Sequence, residues 1–422
     1  MSHITERPAS VTVPRPPWRI RTLNTIGPLL RRFGASNQNL DPDHLLQASQ
    51  KLTGLGPDAN PECRPALLAL VDSYERDAEL TSHGRTVIRM ELVRILATRL
   101  RMADAHAREP TLRQTPITRP LFITGLARSG TTFLHHLLNQ DIHYQALRFW
   151  ELLSPVPPPR PGIGVLEPRA ETATTYLERD RWCLAPMDVI HATSPHSLED
   201  CGWLLNYTLV SSDFVRTAPI RGYLEWFLKQ DLTPSYRSYR ASLQLLRHHF
   251  MPCRLVLKGP SHMVGLDALL ATFPDAGIVQ IHRDPARTLP SLCHMLTVFY
   301  RRICRGQNSR RLGAFAIEWV TQMLKRAQAT REAAPANTFL DVAYTDLVTD
   351  PQRTVRRVYE HFGIEQSPQS SQALARYLTQ DRAIPRRRHD YQLRDFGLEA
   401  DALRHRFADY IEAYSICAEP HR

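Results

Sequence analysis

Apolar residues in the first quarter of the chain recur at helical spacing. Over residues 87–105, Ile88, Leu92, Ile95, Leu96 and Met102 share one face at about 3.6 residues per turn, and Arg94 and Arg101 point the other way. Arg99 falls inside the apolar stripe, where its stem can lie along apolar surface while its head reaches water. The pattern predicts a helical region over residues 1–115.

From Pro120 the period shortens. Brief apolar runs at 121–124, 254–257, 278–282 and 338–342 are each followed by a helix signal, as in a parallel sheet with helical crossovers. Helices are expected at 130–138 and 263–273. Two more follow Asp284-Pro285 and Asp350-Pro351, with Asp at the N-cap and Pro at the first helical position, the second running to about residue 361. The proline-rich piece 154–164 separates the first strand-helix unit from a long section, 165–250, that reads as mostly helical. That section is expected to form an insertion over the ligand edge of the sheet. A basic loop at 386–389 precedes a final helix over 400–416, and no internal repeat is visible. The expected fold is α/β, a P-loop-type parallel sheet flanked by helices. A helical N-terminal region (1–115) precedes one α/β domain (116–422) that carries the helical insertion.

Composition adds a partner class. With 43% hydrophobic and 23% charged residues among 422, the chain has the make-up of a soluble globular protein. Its formal net charge of +11 favours an anionic partner, whether nucleotide, nucleic acid or acidic membrane surface. The seven cysteines are scattered, with no C-x-x-C pair or other zinc-ligand spacing, which suits a reducing compartment. No apolar run approaches the roughly 18 residues of a membrane span, and the stretch 14–21 mixes Arg and Pro where a signal peptide needs apolar residues. A cytoplasmic protein is expected, with peripheral membrane contact left open by the basic charge.

Two segments carry anion-binding chemistry. The first, Leu121-Phe-Ile-Thr-Gly-Leu-Ala-Arg-Ser-Gly-Thr-Thr132, reads as strand, glycine-bounded loop and helix start, with four residues between Gly125 and Gly130. Glycines let the backbone wrap an anion, and the helix N-terminus aims N–H groups at it. Where a nucleoside-triphosphatase loop has its lysine, this chain has Thr131, and the loop's cation is Arg128. A triphosphate needs that lysine and Mg²⁺, whereas a sulfuryl group carries a single negative charge. Arg128 with the hydroxyls of Ser129, Thr131 and Thr132 suits a phosphosulfate without metal. The second segment, residues 278–291, again reads as strand, turn and helix. Arg283 stands at the strand's carboxyl end, where open α/β sheets bind ligands, and Ser291 lies about two turns into the helix. Pro290 sits inside that helix and removes a backbone bond. Two anion sites suggest a ligand with two separated anionic groups.

Taken in this order, the segments resemble the sulfotransferase family that uses 3′-phosphoadenosine 5′-phosphosulfate (PAPS), especially its bacterial branch. The matching residues are Arg128-Ser-Gly-Thr-Thr132 with Trp150-Glu151, Leu257-Lys-Gly-Pro-Ser-His262, and His282-Arg-Asp-Pro285 with Ser291. The likeness extends to Arg388-His-Asp-Tyr391 and Phe396-Gly397, and spans roughly residues 85–415. It implies that Arg128, Ser129, Gly130, Thr131 and Thr132 hold the 5′-phosphosulfate. It likewise implies that Arg283 and Ser291, joined by Arg387 and Arg388, hold the 3′-phosphate.

Sulfuryl transfer needs a base for the acceptor proton and a cation near the bridging oxygen. By the same resemblance Lys258 takes the stabilising role and His262 that of the base. Glu151 is the rival base, a carboxylate that burial would make basic. In the middle section His191, His196, Glu199 and Asp200 cluster without the spacing of a metal site, and sulfuryl transfer requires none. They are candidates for a polar pocket lining. Trp182, Trp203, Tyr207 and Trp226 are candidates for an apolar acceptor pocket or for core packing. The expected acceptor is a hydroxyl or amine of a small molecule, lipid or glycan. A kinase using Mg-ATP and a basic nucleic-acid-binding protein are the alternatives. The first is opposed by Thr131, and the second leaves the two strand-end motifs unexplained.

Overall fold

The computed structural model describes residues 15–33, 38–57, 63–161, 167–184, 192–251, 253–306, 308–382 and 392–419. Its centre is a parallel sheet of β1 (Leu121–Gly125), β2 (Tyr144–Gln145), β3 (Arg254–Lys258), β4 (Gly277–His282) and β5 (Phe339–Ala343). The strand order is β2-β3-β1-β4-β5. Phe122 of β1 aligns with Leu257 on one side and Ile278 on the other, so the glycine-bounded loop leaves the sheet from its middle strand. The four apolar runs became β1, β3, β4 and β5 to within a residue at their ends. The two-residue β2, paired to Arg254 and Leu255, is too short to show a period in sequence.

Both faces of the sheet are covered, which is why its strands read as continuous apolar runs. Leu121, Ile123, Val256, Val279, Ile281 and Val342 pack in one core with the helices after β1 and β5. The residues between them, Phe122, Leu255, Leu257 and Ile278, face a larger core shared with the N-terminal helices and the middle section.

Four helices position the site: α1 (Ser82–Arg108), α2 (Thr131–Leu138), α3 (Pro285–Ile303) and α4 (Pro351–His361). The aspartate caps are as the sequence reads, with Asp284 accepting from Ala286 N–H and Asp350 from Arg353 N–H. α3 continues through Pro290 to Ile303. α1 is capped by Thr81, which accepts from Gly84 N–H, and it presses on the end of α3. A Cβ on Gly84 would lie 2.0 Å from the Ile303 carbonyl oxygen, so only glycine permits that approach.

Three expectations change in detail. Arg94 does not point away to solvent: it pairs with Glu91 and donates to the Tyr207 hydroxyl and the Leu153 carbonyl, both at 3.0 Å. Residues 260–273 form a 3-10 turn (Pro260–Val264) and then a short α-helix (Leu266–Thr272), with Gly265 between them. The final helix breaks at Phe407, whose ring is buried in the core; beyond the break Tyr410 and Tyr414 pack against His282.

Candidate active site

The loop between β1 and α2 is shaped for an anion. Gly125, Arg128 and Gly130 all have positive φ (144°, 71° and 96°), a region that glycine enters without strain and other residues rarely occupy. A Cβ on Gly125 would come within 2.5 Å of the Ile281 carbonyl oxygen, so the loop leaves the sheet where nothing larger than glycine fits. Gly130 is the N-cap of α2, and no side chain caps that helix end. Ser129 Oγ is fully buried with no partner among the described residues. A buried hydroxyl at an uncapped helix N-terminus suits an anion with several oxygens.

The second segment docks on the first. Arg283, just past β4, donates through Nη1 to the Arg128 carbonyl at 2.8 Å, with its guanidinium 3.7 Å from the Tyr344 ring centroid. Ser291 Oγ accepts from Arg128 Nε at 3.3 Å. The motifs thus meet, although more than 150 residues separate them. A third element was not foreseen: Glu419 places both carboxylate oxygens on Arg283, at 2.7 and 2.8 Å, while its N–H donates to Asp284 Oδ2. A carboxylate on this guanidinium shows that the position accepts a two-oxygen anion. Arg387 and Arg388 lie outside the described residues.

A second charged group gathers at the carboxyl end of β3. Lys258, the last residue of β3, is buried. The segment 198–203 is held by an isolated bridge from Leu198 to Arg148 and is tied to the sheet by Cys201 N–H donating to the Lys258 carbonyl. This carries Asp200 to within 3.9 Å of Lys258 Nζ. Arg216 lies 3.6 Å from Asp200 Oδ2 and 2.7 Å from Asp213 Oδ2. Cation and anion therefore alternate: Lys258, Asp200, Arg216, Asp213. Burial raises the Asp213 pKa to about 6, with Asp200 adding to the shift and Arg216 opposing it. Asp213 and Arg216 were missed in sequence because no local motif marks them; the signal was an acid inside the otherwise uncharged run 209–215.

The anion loop, through Arg128, Thr131 and Thr132, and the charged group at β3 open onto one cavity of about 440 Å³, whereas Ser129, Arg283 and Ser291 do not line it. Its polar lining includes Arg128, Thr131, Thr132, Lys258, Arg216 and the acidic residues just described. Its apolar lining comes from α1 (Val87, Ile88, Leu92), α3 (Met295, Phe299) and the aromatics Phe149 and Trp203. Of the middle-section candidates, Glu199 and Trp203 line this cavity, His196 does not, and His191 lies outside the described residues. Tyr207 spends its hydroxyl on the Leu152 carbonyl, Trp226 packs on the core and Trp182 stacks edge-on to His83.

Neither expected base reaches the cavity. His262 is fully buried, with Nδ1 2.8 Å from the Tyr236 hydroxyl and Nε2 3.1 Å from Cys201 Sγ, and burial lowers its pKa to about 4. It is a core histidine whose two nitrogens are occupied. Glu151 is buried too: it caps its own short helix by accepting from Arg148 N–H at 2.7 Å, and it forms an ion pair with buried Arg247. These residues were singled out because they stand inside motifs, and the structure gives both a packing role. Replacing Glu151 with Gln would strand the Arg247 charge, at a cost of about 3–5 kcal/mol. The variant is expected to unfold at a markedly lower temperature by circular dichroism; a melting curve coincident with wild type would contradict the structural role.

Comparison with known proteins places this architecture. A model described as the sulfotransferase family matches residues 120–368. The crystal structure of sulfotransferase STF1 from Mycobacterium tuberculosis H37Rv superposes with a TM-score of 0.75 at 33% identity, covering 87% of this chain and 98% of that one. Sulfotransferase STF9 from Mycobacterium avium shares the fold with a TM-score of 0.83 at 24% identity, covering 92% and 100% respectively. Omega-hydroxy-beta-dihydromenaquinone-9 sulfotransferase Stf3 from Mycobacterium bovis is 26% identical over 254 residues, 58% of this chain and 63% of its own length. The match therefore spans less than two thirds of that curated relative. With the loop after β1, Lys258 and the β4–α3 turn all inside the matched range, the chain belongs to the sulfotransferase family.

Proposed function

We propose that this protein transfers a sulfuryl group from PAPS to the hydroxyl of an apolar small molecule or lipid. The carrying observation is that anion-binding residues (Arg128, Thr131, Thr132, Lys258) and an apolar lining share one cavity. The residues present fit the donor. The loop after β1 offers the buried Ser129 hydroxyl, which has no partner among the described residues, and the N-terminus of α2 to the phosphosulfate. Arg283 and Ser291, joined through Arg128, suit the 3′-phosphate. Much of the cavity lining is apolar, and Stf3 is named for an omega-hydroxy-beta-dihydromenaquinone-9 acceptor. One wall comes from α1, which lies before the family-matched range and so gives the N-terminal region a part in acceptor choice. A reducing, cytoplasmic setting is part of this reading and rests on the scattered spacing of the seven cysteines in the sequence.

Incubation with ³⁵S-labelled PAPS and a panel of apolar alcohols tests the proposal. Label is expected on an alcohol; label left wholly on PAPS or released only as sulfate would contradict it.

In this reading the 3′-phosphate must displace the Glu419 carboxylate from Arg283. Both side chains keep some solvent contact, so the pair is worth about 1 kcal/mol and removing the competitor matters several-fold. Glu419→Gln is expected to tighten binding of adenosine 3′,5′-bisphosphate by about 3–10-fold in a calorimetric titration. Unchanged or weaker binding would show that the tail does not compete.

A further inference from the structure

We infer that Asp213 is the general base that takes the proton from the acceptor hydroxyl, an assignment that rests on the sulfuryl-transfer reading above. Five carboxylates line the cavity among the described residues: Glu91, Glu178, Glu199, Asp200 and Asp213. Four are committed elsewhere. Glu91 gives both oxygens to Arg94, and Glu178 lies half-exposed, paired with Arg181. Glu199 accepts from Thr193 Oγ1 at 3.0 Å and from Asp200 N–H at 3.2 Å. Asp200 accepts from Gly202 N–H through Oδ1 and faces Lys258 and Arg216 through Oδ2.

Asp213 differs. Its buried Oδ2 lies 2.7 Å from Arg216 Nη2 as an ion pair without hydrogen-bond geometry, and neither carboxylate oxygen accepts a hydrogen bond among the described residues. The 3-10 helix that carries it (Ser212–Arg216) is rigidly mounted. Ser211 accepts the Asp213 N–H through Oγ and is itself clasped by the Tyr223 hydroxyl, while the Tyr300 hydroxyl donates to the Val215 carbonyl. Gly202 leaves room for the carboxylate, since a Cβ there would lie 2.8 Å from Asp213 Oδ2. The charged groups facing Asp213 are Arg216, Asp200 and Lys258. Its titratable neighbours Cys201, Tyr223 and Tyr236 stay neutral near pH 7, because burial raises the pKa of each.

The step balances with these residues alone. The acceptor oxygen forms a bond to sulfur as the bond from sulfur to the 5′-phosphate oxygen breaks. The electron pair leaves on adenosine 3′,5′-bisphosphate, and the hydroxyl proton passes to Asp213, then to solvent. The ionised form of Asp213 is the active one. Its raised pKa therefore predicts a rate that falls as pH drops through about 6 and is level above it.

The test compares Asp213→Asn with wild type on two acceptors, an aliphatic alcohol and a nitrophenol assayed above its own pKa, which needs no base. Loss of about 10²–10⁴-fold in kcat on the alcohol is expected. On the nitrophenol the loss should be only a few-fold, with unchanged affinity for adenosine 3′,5′-bisphosphate. Equal losses on both acceptors, or wild-type activity on the alcohol, would overturn the assignment. Should the variant fail to fold, the wild-type profile on the alcohol decides: an acid limb near pH 6 supports the base, and its absence refutes it. Failure of wild type on both acceptors would instead overturn sulfuryl transfer itself.

Discussion

Lys258→Ala is expected to lower kcat by about 10²–10³-fold while leaving the affinity for adenosine 3′,5′-bisphosphate nearly unchanged, the usual cost of removing one preorganised charge at a developing anion. Lys258 is buried at the carboxyl end of β3 and lines the cavity beside the loop after β1. There its ammonium can meet charge growing on the oxygen between phosphorus and sulfur. Water is largely excluded, so the ammonium is screened less than a surface lysine would be. Its contact to Asp200 is long, 3.9 Å, so the charge is not consumed by a tight ion pair. Lys258→Arg should recover part of the rate, because the charge is kept and the geometry is not. A kcat loss below about threefold would remove Lys258 from the chemistry, as would a loss matched by weaker nucleotide binding.

Arg283→Ala is expected to weaken binding of adenosine 3′,5′-bisphosphate by about 10²–10³-fold, since two charge-assisted hydrogen bonds amount to about 3–4 kcal/mol. The guanidinium holds a carboxylate through two oxygens and props the anion loop through the Arg128 carbonyl, so its removal costs both a ligand and loop order. Losing the contact to Glu419 offsets little, because the competitor disappears together with the site it occupied. Arg283→Lys should bind at an intermediate strength: one point charge replaces the planar fork. Calorimetric affinities within threefold of wild type would show that the 3′-phosphate binds elsewhere.

The parts of the fold that sequence shows are those with local causes. β1, β3, β4 and β5 are long enough for apolar runs to stand out, and the Asp-Pro pairs cap α3 and α4 by contacts within three residues. The glycine pattern marks the anion loop because the positive φ of Gly125 and Gly130 is a property of single residues. The charged cluster at the end of β3 has no such local cause. Lys258, Asp200, Arg216 and Asp213 meet only because the segment 198–203 is tied along β3 and a buried 3-10 helix is clasped by Tyr223 and Tyr300. His262 and Glu151 illustrate the converse. Both stand in recognisable motifs, yet burial turns one into a neutral core ring and the other into a helix cap with an ion pair. Glu419 carries no motif, and its contact to Arg283 spans 136 residues.

Titration of adenosine 3′,5′-bisphosphate into the wild-type protein in EDTA, beside a Mg-ATP titration, addresses the sulfuryl-donor site most directly. With Thr131 standing where a nucleoside-triphosphatase has lysine, and with Arg128 and Arg283 as the cations, tight metal-independent binding of the bisphosphate and weak binding of Mg-ATP are expected. Preference for Mg-ATP, or no binding of the bisphosphate, would contradict a site built for PAPS.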